Sequence, residues 1–391
     1  MSERYATVRY LCGATAARTG DEASGPALLL LGVAVAGSAA TGSALLAGVT
    51  ATAAIGGPLI GVALDRSRRP GRLLAILLVL YALGLVAVAL PVGRLHVAPV
   101  VALALIVGLP SPALSGGWTA QLPRVVSASR ATGVSTWDAM TFGAASLVGP
   151  ALAGAVALGF GALTSVVVAA ALVALAVPAA LALPDRKLPP ERVPLLAELV
   201  SGVRAVVGNR TLARVTAVST ISIAGTGAFV VATPVLGERT LGGAAQGALL
   251  LALMAVGSLA ANLVTVRRPL RFRPETVVFV CVLVQCVGVT GAAVAPSALW
   301  LLLAVALVGA AEGPQLAALL AVRRREAPER LRSQVFTTAA SVKVSAFALG
   351  AALAGPAADL SPALCSALAA AFQGAAALTH LLMRPRSGSR G

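Results

Sequence analysis

The sequence predicts an all-α membrane protein of twelve transmembrane helices in two pseudo-symmetric six-helix bundles. Three observations carry that prediction. First, apolar residues fill 58% of the 391 positions and charged residues 11%, with a mean hydropathy of +0.92. Ordinary soluble domains hold about 45–50% and about 25%, and so few charges cannot cover a water-soluble chain of this size. Second, the apolar residues fall into twelve runs near the ~20 residues that cross a bilayer. Third, the chain resembles itself at an offset of 201 residues, from Val134 on Val335 to Gly154 on Gly355.

The first six runs are 8–36, 41–64, 73–91, 97–120, 132–158 and 160–183. The first is the most heavily charged, being interrupted by Arg18, Asp21 and Glu22, which argues against a cleavable signal. The fourth holds Gly108, Pro110 and Pro112, which predict a broken or kinked helix lining a cavity. A polar stretch follows, and then six more runs: 214–236, 244–266, 276–296, 298–322, 333–358 and 361–383. None shows the period of two that a membrane strand requires. The domains predicted are an N-terminal bundle, 1–183, a cytoplasmic linker, 184–213, and a C-terminal bundle, 214–391.

The formal net charge of +16 is laid out as topology rather than as a nucleic-acid surface. With both termini cytoplasmic, 26 of the 30 Lys and Arg residues fall in inside segments and two, Arg94 and Arg239, fall outside. That split follows the positive-inside rule and requires an even number of crossings. The four cysteines lie in apolar runs without metal or disulfide spacing. His96 and His380 are far apart, so no metal site is predicted. The same offset also pairs Gly56 with Gly257, Val107-Gly108 with Val308-Gly309, and Arg66 and Arg72 with Arg267 and Arg273.

Two segments resemble signatures of the major facilitator superfamily, and the resemblance covers essentially the whole chain. Between the second and third runs stands GVALDRSRRPGR, from Gly61 to Arg72. It is similar to the superfamily's conformational loop, with Gly61, Asp65, Arg66, Gly71 and Arg72 at its motif positions and two extra residues before Gly71. Physically, Gly61 permits close helix contact, Asp65 is an acid at the membrane boundary, and the arginines suit an anionic inner leaflet. The resemblance implies that Asp65 stabilises one face of a transport cycle. In the fifth run, Ala145, Gly149, Pro150, Ala153 and Gly154 resemble the antiporter hinge element, with two glycines softened to alanine. Small residues four apart admit a neighbouring backbone, and Pro150 bends the helix.

The run from Arg18 to Pro26 resembles the first helix of the drug/macrolide-efflux-like proton antiporter branch. Arg18 and Asp21, three apart, share a helix face, so Asp21 is either an ion pair with Arg18 or a proton site, with Glu22 a second proton candidate. The fourth run lacks the arginine element usual in such exporters. Asp138, Glu312 and Lys343 complete six buried charges, all on helices that line the cavity in this superfamily. Trp137 is a cavity candidate as Asp138's neighbour. Gln285 and Gln373 are expected to bond across helices. Glu312 and Lys343 both lie eleven residues from basic cytoplasmic ends, about 16 Å deep, which predicts a pair between consecutive antiparallel helices.

The resemblance implies export of a small, lipophilic organic compound by alternating access, in exchange for protons. The reading carries no cofactor, no nucleic acid, and a monomer in a cell inner membrane. A superfamily importer of a sugar or other metabolite is the rival, disfavoured by the few polar side chains in the runs. A membrane lipid transferase is a third, without the clustered acids or histidines it would need.

Overall fold

The computed structural model describes residues 3–185, 203–267, 272–327 and 332–383. The side chains of Asp65 and Arg66 are among those lying outside the described part, as are segments 186–202 and 384–391. Most of the linker predicted at 184–213, including position 201, therefore falls outside it.

Six helices form the first half: α1 (Glu3–Ala36), α2 (Ala39–Ala51, resuming as Ala53–Arg66), α3 (Pro70–Ala89), α4 (beginning Val97–Gly108), α5 (Ala128–Phe160) and α6 (Ala162–Leu175 and Val177–Leu181). Six form the second: α7 (Arg210–Leu241), α8 (Ala245–Arg267), α9 (Pro274–Ala293), α10 (Ala298–Glu326), α11 (Arg332–Leu360) and α12 (Pro362–Leu382). Among the described residues, eleven spans are long and apolar enough to cross a membrane. The twelfth, α1, carries Arg18, Asp21 and Glu22 at mid-length, and its charges are answered by neighbouring helices. As its Gly and Pro residues predict, α4 breaks after Gly108 into a 3₁₀ turn, Ser111–Ala113, and two single turns.

Apolar side chains cannot drive helices together inside lipid, so close backbone approach has to do so. Glycines supply it, and they repeat at the offset seen in the sequence. A Cβ on Gly56 or Gly108 would collide across the α2–α4 crossing, with Leu109 and Val49 respectively. Their counterparts Gly257 and Gly309 do the same across α8–α10, against Ala306 and Met254. Gly149 seats α5 on α1 beside Glu22 and Ala23, and Gly350 seats α11 on α7 beside Ala224.

The two halves meet through another such pair. Gly154 of α5 would place a Cβ 2.9 Å from Ala245 O of α8, and one on Gly355 of α11 would collide with Ser43 of α2. Both contacts lie near the face away from Arg9, the 67–69 turn and Arg325, here called the outer face. There Asp359 ends α11 and receives hydrogen bonds from Ser38 Oγ (2.7 Å), Ala39 N (2.6 Å) and Ala40 N (3.1 Å) at the start of α2. A carboxylate of one half thus caps a helix of the other.

The loop resembling the conformational signature is only partly as expected. Gly71 packs α3 onto α6, where a Cβ would lie 3.0 Å from Leu183 Cβ. Among the described residues nothing lies within 4 Å of a Cβ built on Gly61, so the close contact expected there is not seen among them. Arg72 is exposed.

Candidate functional site

Three polar clusters stand inside the apolar shell. The first is built on α1, α4 and α5. Arg18 is 2% exposed and pairs with Asp138 at 3.0 Å. Every oxygen of that carboxylate is used: Tyr10 donates to Oδ1 at 3.0 Å, Thr119 to Oδ2 at 2.9 Å, and Arg18 reaches both. The guanidinium also donates to the Asp138 carbonyl (3.0 Å), Thr119 Oγ1 (2.7 Å) and Thr141 Oγ1, and lies 3.7 Å over the Phe142 ring. The cluster also ties into the broken backbone of α4 through carbonyls that already accept a backbone N–H, Thr119 N on Ser115 O and Gln121 N on Trp118 O. Tyr10 reaches Trp118 O at 3.3 Å and Arg18 reaches Ser115 O at 3.5 Å. Buried charges persist only when paired and bonded in this way.

The ion pair expected between Arg18 and Asp21 is therefore not formed. Side chains on a helix lean toward its N-terminus, so Arg18 reaches back, away from Asp21, toward Asp138. Asp21 enters a second cluster with α3 and α4: Tyr81 donates to its Oδ1 at 2.8 Å and Ser111 at 3.2 Å. Ser24 donates to the Asp21 carbonyl at 2.7 Å and lies 3.0 Å from the Tyr81 hydroxyl. Among the described residues no basic group lies within ion-pair distance of Asp21. One step round α1, exposed Glu22 accepts from Ser146 of α5 at 3.3 Å.

The third cluster is the second half's counterpart and carries no charge. The Ser222 hydroxyl of α7 lies 3.0 Å from Gln285 Oε1 of α9 and 2.9 Å from Gln373 Oε1 of α12, and Gln315 of α10 donates to it at 3.2 Å. Ser222 stands 201 residues after Asp21. Gln285 and Gln373 bond across helices, as expected.

One further expectation needs correction. Glu312 and Lys343 do not approach within the 4 Å of an ion pair, although each feels the other's field. Helices α10 and α11 are consecutive but touch only slightly: α11 lies mainly on α7 and α2, and α10 mainly on α9 and α8. Equal depth did not supply adjacency. Trp137 is 60% exposed on the α5 stripe that also exposes Ala144 and Val148, about 100° round the helix from Asp138. It is turned away from the cluster.

Sequence reasoning missed Tyr10, Tyr81, Ser111 and Thr119. The two tyrosines carried a signal, since the chain has only three and a buried phenol needs a partner.

The family model described as Major Facilitator Superfamily matches residues 10–351. No curated protein sequence matches the chain. Among solved structures, the nucleoside transporter NupG is similar at 14% identity, with 98% of each chain covered and a TM-score of 0.72. The POT family transporter PepTSo is similar at 12% identity, covering 98% of this chain and 97% of its own, with a TM-score of 0.76. A bacterial homologue of the human lysosomal transporter Spinster, inward-facing and unoccupied, is 15% identical over 99% of both chains, with a TM-score of 0.69. These likenesses concern the fold.

Proposed function

The chain belongs to the Major Facilitator Superfamily, and from that premise we propose that it exports a small, lipophilic organic compound by alternating access in exchange for protons, with Asp21 as the proton carrier. The carrying observation is the contrast between two acids of the first half. Asp138 is saturated by Arg18, Tyr10 and Thr119, which makes it a fixed anchor. Asp21 has hydroxyl donors and no cation. A carboxylate in the membrane interior must stay hydrated or be neutralised, and a proton can neutralise Asp21 without moving any basic side chain. Glu22 beside it faces the interior and is the second station.

The reading extends to parts of the chain that carry no direct contact with cargo. The loop bearing Asp65, Arg66 and Arg72 paces the cycle, and the α5 element Ala145–Gly154 closes the outer face. Both termini lie in the cytoplasm, with the chain a monomer in a cell inner membrane. In intact cells of a variant lacking the four cysteines, a cysteine at position 201 is expected to resist membrane-impermeant maleimide; outer-side labelling overturns the topology.

Proton exchange is tested in proteoliposomes with an imposed pH gradient. Asp21→Asn is expected to abolish gradient-driven accumulation while preserving equilibrative exchange of the same compound. Full proton-driven accumulation by Asp21→Asn overturns the assignment of the proton to this residue.

A further inference from the structure

Among the described residues, the interior of the second half holds a buried cation with unpartnered donors. Arg323, near the end of α10 farther from the outer face, is 3% exposed, and its Nε and Nη2 have no hydrogen-bond partner. A buried guanidinium left in this state loses hydration without recovering it from the protein. Its place on the helix says where those donors point. Glu312, Leu316 and Arg323 stand at i, i+4 and i+11, within about 40° of one another on one stripe. Leu303 and Leu307, 62% and 41% exposed, mark the opposite, lipid-facing side. Leu316 is nevertheless 46% exposed, so the inner stripe borders open space.

Lys343 on α11 adds a second positive charge, within the fields of both Arg323 and Glu312 and not in ion-pair contact with Glu312. Among the described residues, two cations and one carboxylate therefore stand near one another on α10 and α11 with no ion-pair contact between them. The first half offers the opposite sign: Arg18 is consumed by Asp138, leaving Asp21 and Glu22.

We propose that Arg323 and Lys343 form a binding site for an anionic group, a carboxylate or phosphate carried on a lipophilic body. The planar fork of Arg323 matches two such oxygens, and the flexible ammonium of Lys343 supplies the second charge. Glu312 is the competitor that offsets one of the two positive charges while the site is empty. The proposal rests on the transport reading only in naming the bound compound as cargo.

Equilibrium binding tests it without a pH gradient, so failure of proton exchange and failure of this site are separate results. Thermal stabilisation of the purified chain is measured with naphthoate and naphthyl phosphate, and with uncharged naphthamide and cationic naphthylmethylamine. The anions are expected to stabilise, and the amide and amine are not. Arg323→Gln is expected to weaken naphthoate binding by about tenfold or more, and Arg323→Lys to retain part of it. Glu312→Gln is expected to tighten binding, because it removes a like charge. The proposal is overturned if amide and anion stabilise equally, if no anion stabilises, or if Arg323→Gln binds naphthoate like the wild type. Displacement of naphthoate by phosphatidylglycerol would make the site a lipid site and overturn it as a cargo site.

Discussion

Asp138→Ala is expected to destabilise the protein by about 3–5 kcal/mol, the range found when one partner of a buried ion pair is removed. The mechanism is specific. Arg18 would remain 2% exposed with its carboxylate gone, and Thr119 and Tyr10 would lose their acceptor at the same time. The cluster also fastens α1 to the broken part of α4, where Arg18 and Tyr10 add a second hydrogen bond to the Ser115 and Trp118 carbonyls. Thermal unfolding in detergent and the yield of membrane-inserted protein both read the effect. The double change Arg18→Met with Asp138→Leu is expected to recover much of the loss, since an apolar pair leaves no buried charge. Losses that simply add in the double variant would show that the residues act independently.

Asp359→Ala is expected to have the largest conformational effect. Its carboxylate caps α2 from the other half with three hydrogen bonds, and it exists as a latch only while the outer face is closed. A cap contributes about 0.5–2 kcal/mol, and a charge at a helix N-terminus about 0.3–1 kcal/mol when exposed. Losing about 2 kcal/mol moves the closed-to-open ratio by roughly thirtyfold. A cysteine at position 142, whose phenylalanine is 36% exposed and lies against Arg18, is expected to react with an impermeant reagent from the outer side much faster once Asp359 is alanine. Unchanged reactivity would mean that Asp359 does not hold the face shut.

How far these features could be read in advance depended on their range along the chain. Membrane spans are local, and twelve runs located twelve helices to within a few residues, except that α1 begins at Glu3 and α7 runs from Arg210 to Leu241 rather than from 214 to 236. The repeat was legible too, because Gly56 and Gly257, Gly108 and Gly309, and Gly149 and Gly350 recur at matching helix crossings. Pairing between helices was not legible. Spacing on α1 put Arg18 with Asp21, whereas side-chain lean and the acceptors of a broken α4 put it with Asp138. Depth alone matched Glu312 to Lys343 across helices that touch only slightly. Sequence adjacency placed Trp137 with Asp138, although a helix turns neighbours onto different faces. Arg323 counted only as the end of a span, and its burial shows only in three dimensions.

The central claim is that two halves rock about a cavity now closed at its outer face. Spin-label distances measured on one cysteine-free background test it directly. One pair is placed at Phe160 and Leu360, 76% and 79% exposed at the outer ends of α5 and α11, and another at Arg68 and Phe272 on the opposite face. The account predicts a short outer distance in the wild type. Asp359→Ala then adds a longer outer population and, in the same proportion, a shorter one at the opposite face. Outer and opposite distances that stay fixed, or that lengthen together, would contradict it.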